Sequence, residues 1–172
     1  MNISYTSREQ VEVYRFSWPI TVGVPLAVLF LQGFIPVRFQ FFRMLDLPLL
    51  VTIYFAVSRR NPVSGMLTGC LIGVVQDALT QHPIGVNGIA KTVVGFIASS
   101  LGVKIDVDQP GSRFLLTYVF YVLHQLIFFG IMHGLANDPL RWAWTHQLLG
   151  AFFSSVAAVL LFLFLDRFKQ RT

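Results

Sequence analysis

Residues 17–37 carry no charged side chain, and neither do residues 114–136 or 144–165. A helix rises 1.5 Å per residue, so about 20 apolar residues cross a hydrocarbon core about 30 Å thick. Uncharged runs of this length commit the chain to lipid before any other feature is weighed. Composition agrees: of 172 residues 55% are hydrophobic and 12% charged, with seventeen Phe and a mean hydropathy of +0.65. Soluble domains carry about twice that share of charge.

The pattern predicts an all-α, polytopic integral membrane protein, a single transmembrane domain over residues 1–172. Six transmembrane helices are expected, at about 17–37, 41–57, 63–80, 84–103, 114–136 and 144–166. The secure part of the second is 45–57, too short to span unless the aromatic approach at 39–44 continues it. Otherwise it is broken, re-entrant or bent at Pro48. Asn61 and Pro62 mark a firm start for the third helix, as cap and first helical residue. The four residues "QHPI" then make the third and fourth helices an antiparallel hairpin.

Lys and Arg resist translocation and collect on the cytoplasmic side. With the N-terminus inside, nine positive residues (Arg8, Arg15, Arg59, Arg60, Lys104, Arg113, Arg167, Lys169, Arg171) face the cytoplasm, against three outside (Arg38, Arg43, Arg141). Both termini are therefore expected to be cytoplasmic. The same distribution argues against a nucleic-acid partner despite a pI of about 9.8, because the charges flank helices and form no basic patch. Trp18, Trp142 and Trp144 fall at helix ends, where aromatic belts lie. The first sixteen residues suit either a short amphipathic surface helix or a frayed tail. Nothing resembling a cleavable signal precedes the first helix, which is expected to stay.

The third helix contains "GMLTGCLIGVVQD", in which Gly65, Gly69, Gly73 and Asp77 recur every four residues and so share one stripe. In lipid a small-residue stripe lets two backbones approach and pack by dispersion. Its partner is either another helix of this chain or a helix of a different protein. Cys70, the single cysteine, reads as a small packing residue on the same helix. Asp77 lies close to the outer end of the third helix, and Asn87 and Lys91 close to the start of the returning one. An ionisable side chain at that depth needs a partner. The short turn brings Asp77, Asn87 and Lys91 together as an intramembrane polar cluster, with Gly95 continuing the face of Asn87 and Lys91. Such a cluster binds a ligand, relays a proton, fixes an interface, or simply locks the hairpin.

Residues 60–102, from "RNPVSG" through "LIGVVQD" and "PIGVNGIAK" to "SSLG", resemble the signature region of the rod shape-determining MreD family of bacteria. The "DLPLLVTIYFAV" of the second helix is also similar to that family. The resemblance carries over by motif to Gly65, Gly69, Gly73, Asp77, Gly85, Asn87 and Gly88, with Lys91 in the same segment. It implies a non-enzymatic inner-membrane scaffold of the elongation complex that maintains cell shape and directs sidewall peptidoglycan synthesis. The implied partners are MreC and, through it, MreB, a RodA-type glycosyltransferase and a penicillin-binding transpeptidase. The implied fold is that of the S component of energy-coupling-factor transporters. Hairpin packing or an interface is thus expected at Gly65, Gly69, Gly73, Gly85, Gly88 and Gly95.

Thr117, Tyr121 and His124 share one face of the fifth helix and should bond to a neighbouring helix, at about 1 kcal/mol each. Gly150, Ser154 and Ala158 form a packing stripe on the sixth. A vitamin-binding S component is the alternative function, weakened because Ala27 is followed four residues later by Leu31 instead of a second alanine. An intramembrane enzyme is disfavoured. There is no G-x-S-x-G and no paired-histidine metal motif, and Ser64 and His124 differ in depth. No catalytic residue, metal or cofactor is assigned.

Overall fold

The computed structural model describes residues 14–15, 17–38, 44–80, 83–102, 109–134, 144–168 and 170–171. Six helices follow in order: α1 (Trp18–Arg38), α2 (Leu47–Arg59), α3 (Pro62–Thr80), α4 (Val86–Gly102), α5 (Pro110–Gly134) and α6 (Trp144–Asp166). A two-residue antiparallel pair, β1 (Tyr14–Arg15) with β2 (Gln170–Arg171), joins the chain just before α1 to the chain just after α6. Residues 1–13, residues 103–108 with Asp106 and Asp108, His82 and Trp142 lie outside the described residues.

Four helices, α1, α3, α5 and α6, are long and apolar enough to cross a membrane. α2 and α4 are shorter, at 13 and 17 residues. α2 is the hub. It touches each of the other five helices, and every side chain from Pro48 to Ser58 is buried. A helix about 20 Å long cannot span alone. Packed by the other helices from Pro48 to Ser58, it need not span the hydrocarbon core by itself.

The second helix does not reach back to residue 41 as a continuous span: Leu45 and Asp46 are non-helical and α2 begins at Leu47. The cause is local. Asp46 turns its side chain onto the first turn, where Oδ1 accepts from Leu49 N at 3.0 Å, and Pro48 sits in that turn. Irregular backbone at membrane depth survives only where its polar groups are satisfied. Here Gln32 Nε2 donates to Leu45 O at 2.9 Å, Leu47 N donates to Gln32 Oε1 at 3.2 Å, and Tyr121 Oη donates to Met44 O at 2.9 Å. α1 and α5 thus replace the bonds that helix would have made.

α2 ends at Arg60, whose left-handed φ of 52° lets its N–H return to Ala56 O at 3.2 Å. Asn61 Oδ1 at once accepts from Val63 N and Ser64 N, with Pro62 as the first residue of α3. A second departure from expectation is the start of α5 at Pro110, four residues before 114. Its polar first turn is helical because Arg113 is buried and bonded at 2.6 Å to Asp166 Oδ2, at the end of α6. Tyr54 Oη donates to the other oxygen of Asp166 at 3.1 Å, so α2, α5 and α6 are tied at one end of the bundle.

Candidate functional site

The hairpin seam comes first, because it positions everything else. A Cβ on Gly65 would collide with Gly95 O and stand 2.7 Å from Ser99 Oγ; one on Gly69 would meet the Lys91 carbonyl, and one on Gly73 the Asn87 carbonyl. From the opposite helix, a Cβ on Gly95 would strike Gly65 O, and one on Gly88 would lie 2.8 Å from Val74 Cγ2. Backbone lies against backbone along the length of α3, and the stripe's neighbour is α4 of the same chain. Gly85 does not belong to this seam. Nothing lies within 4 Å of its Cβ position, and its φ of +104° marks it as the turn residue that L side chains rarely replace. Cys70, one step off the stripe, is exposed.

That close approach brings the polar ends of α3 and α4 together. Asp77 is fully buried and accepts four donors: Gly85 N at 2.9 Å, Asn87 N at 3.0 Å, Gly88 N at 3.3 Å and Asn87 Nδ2 at 2.7 Å. Its carboxylate therefore faces the N-terminus of α4, where unpaired N–H groups amount to about half a positive charge. Asp77 is a helix cap made from the preceding helix.

Lys91 takes a different carboxylate from the one its sequence neighbourhood suggests. Its ammonium bonds Asp46 Oδ2 at 2.6 Å, His124 Nε2 at 3.2 Å and Asn87 Oδ1 at 3.4 Å. An ammonium has three N–H groups, and all three find acceptors. Because lysine only donates, His124 Nε2 is the acceptor and the ring proton of a neutral His124 sits on Nδ1. Asn87 links the two centres, receiving from Lys91 on its oxygen and giving to Asp77 from its nitrogen. Asp77, Asn87 and Lys91 do meet, then, with Asn87 between the charges and Asp46 as the ion-pair partner.

Asp46 and Gln76 complete the cluster, and neither is among the residues expected there from sequence. Gln76 Nε2 lies 3.4 Å from Asp46 Oδ1. A signal for Asp46 exists: an acidic residue directly before "LPLL" is an N-cap pattern, and a buried lysine demands a carboxylate. Nothing in the chain order points it at Lys91. The cluster holds α2 through Asp46, α3 through Gln76 and Asp77, α4 through Asn87 and Lys91, and α5 through His124. Lys91 is wholly buried and His124 almost so. His133 is exposed on the far side of α5, stacked on Phe129.

Chemically this is a latch. Each charge is answered by a partner of opposite sign or by oriented dipoles, as burial requires. Among the described residues no three His, Cys, Asp or Glu side chains converge as metal ligands. On α6, Gly150, Ser154 and Ala158 are buried, and a Cβ on Gly150 would stand 2.7 Å from Tyr121 Oη, so that stripe seats α5.

No curated protein and no solved structure matches the chain. The family model of the rod shape-determining protein MreD matches residues 14–171, nearly the whole chain and every helix just described. The capped, glycine-seamed hairpin and the central buried helix are therefore features of a membrane protein that belongs to the MreD family of rod shape-determining proteins.

Proposed function

We propose that this protein is a non-enzymatic scaffold of the elongation complex in the bacterial inner membrane, acting in cell-shape maintenance and sidewall peptidoglycan synthesis through association with MreC. MreB, the RodA-type glycosyltransferase and the penicillin-binding transpeptidase are reached indirectly. Family membership supports the role in rod shape. The observation that carries the scaffold reading is the internal saturation of Lys91 by Asp46, His124 and Asn87. A buried ammonium whose three N–H groups are all spent on its own chain favours rigidity over turnover.

Six membrane crossings with both termini cytoplasmic is the topology best supported. α4 returns beside α3 from Gly73 against Asn87 to Gly65 against Gly95, matching its depth despite its shorter length. The β1–β2 pair brings the two ends of the chain to one side, as an even number of crossings requires. The preponderance of Lys and Arg expected with the termini supports the cytoplasm as that side. An S-component-like arrangement of the six helices rests on the family resemblance.

The test is affinity purification from the native membrane in mild detergent, with mass spectrometry of co-purifying proteins and small molecules. MreC and wall-synthesis enzymes are expected. A coupling ATPase complex with a retained vitamin would overturn the scaffold reading in favour of a transport subunit.

A further inference from the structure

An open groove of about 560 Å³ runs between α1 and α3 with α2 as its floor. Val22 and Leu26 form one wall and Leu67 and Leu71 the other, all exposed, while Phe55 and Arg59 lie beneath. Arg59 occupies the end where α2 stops and α3 starts. Its guanidinium sits 5.4 Å from the Phe55 ring centroid and donates through Nη1 to Ser64 Oγ at 3.1 Å and through Nη2 to Thr21 Oγ1 at 2.9 Å.

Both acceptors are neutral hydroxyls. No carboxylate among the described residues pairs with Arg59, in contrast to Lys91 and Arg113. Two of the five guanidinium N–H groups are used and three remain. A half-buried, uncompensated cation at the membrane-surface end of an apolar slot has the charge complement of an amphiphile with an anionic head. The walls also discriminate among occupants. Docking of a transmembrane helix favours a flat stripe of small residues, whereas the exposed walls here are Val22, Leu26, Leu67 and Leu71; Thr21 and Ser64 are bonded to Arg59, Thr68 to Ser64 O, and the α3 glycines lie against α4. Slender acyl chains suit the space.

We propose that the α1–α3 groove is a binding site for an anionic phospholipid, with an acyl chain between Leu26 and Leu71 and the headgroup phosphate on Arg59. Basic residues near the membrane surface favour anionic lipid by about fivefold each, which sets the scale of selectivity expected from one arginine. The site is distinct from the polar cluster and does not depend on which proteins the scaffold holds.

Native mass spectrometry of the full chain, doped with equal phosphatidylglycerol and phosphatidylcholine, tests it. The parent should retain one phosphatidylglycerol about fivefold in preference to phosphatidylcholine. Arg59→Gln should bring the two to parity, and Arg59→Lys should keep the preference. Leu71→Trp, a change on an exposed surface that fills the groove, should lower retention of the tightly bound lipid. If Arg59→Gln fails to fold, Arg59→Lys and Leu71→Trp decide the matter. Parity in the parent, unchanged preference in Arg59→Gln, or unchanged retention in Leu71→Trp would each overturn the proposal. So would capture of a single-span protein, instead of lipid, by a photo-cross-linker at position 71 in native membranes.

Discussion

Lys91 Nζ and Asp46 Oδ2 stand 2.6 Å apart although they are 45 positions apart in the chain, and this pair fastens the second turn of α4 to the start of the central helix. Asp77, only 14 positions before Lys91, instead spends its oxygens on the backbone of α4. Which carboxylate serves which partner determines how the cluster responds to substitution.

Lys91→Met leaves Asp46 without its counter-charge and should cost about 3 to 5 kcal/mol, the usual penalty for orphaning a buried ion. Pairing it with Asp46→Asn should cost less than the sum of the singles, with a coupling of about 1 to 3 kcal/mol. Lys91→Met with Asp77→Asn should couple less, since Asn87 stands between them. Reversible unfolding in mixed micelles measures all three, and equal coupling of Lys91 to both carboxylates would contradict the assignment.

Asp77→Ala strips a buried cap and orphans several N–H groups at the start of α4, each worth about 1 to 3 kcal/mol when left unsatisfied. Asp77→Asn retains one acceptor oxygen and should recover part of that loss. Amide hydrogen exchange at residues 85–88 is the direct reading, with faster exchange in the alanine variant than in the asparagine one. Identical protection in both would show that the carboxylate does not hold the turn.

At Gly69 and Gly73 even alanine must push two backbones apart, so Gly69→Ala and Gly73→Ala should reduce folded yield sharply. Gly23, with nothing within 4 Å of its Cβ position on α1, is the control. Gly23→Ala should be neutral or stabilising by up to about 1 kcal/mol, the gain in helix propensity. Monodisperse yield after detergent extraction separates the two classes, and a Gly69→Ala protein as robust as Gly23→Ala would contradict the seam.

Gln32 is the sole side chain bonded to both Leu45 O and Leu47 N among the described residues. Gln32→Leu removes both bonds at the unwound entry to α2 and should cost about 1 to 3 kcal/mol. α1 packs only on α2 and α3 among the described elements, so its separation should be the first consequence. Disulfide trapping between cysteines introduced at positions 29 and 55 should slow in the Gln32→Leu background. An unchanged trapping rate would mean that helix packing alone seats α1.

Local features of this protein are legible in its sequence. The apolar runs place the helices, Asn61 and Pro62 start α3, and the four-residue glycine period defines one flat face, because helix geometry makes each a matter of near neighbours. Charge at the helix flanks is equally local. What the sequence could not disclose is which apolar surface meets protein and which meets lipid. α2 is buried from Pro48 to Ser58 and α1 is largely exposed, yet both are rich in the same side chains, since lipid tails are as apolar as a core and exert no sorting pressure between them. Hydropathy therefore locates helices without ranking them. The partner of Lys91 was hidden for a related reason: Asp77 is near in sequence, but the packing of α2 against α4 carries Asp46 to the ammonium while the turn at Gly85 delivers α4's N–H groups to Asp77. Buried charge must be matched, and only the packed arrangement of helices decides by what.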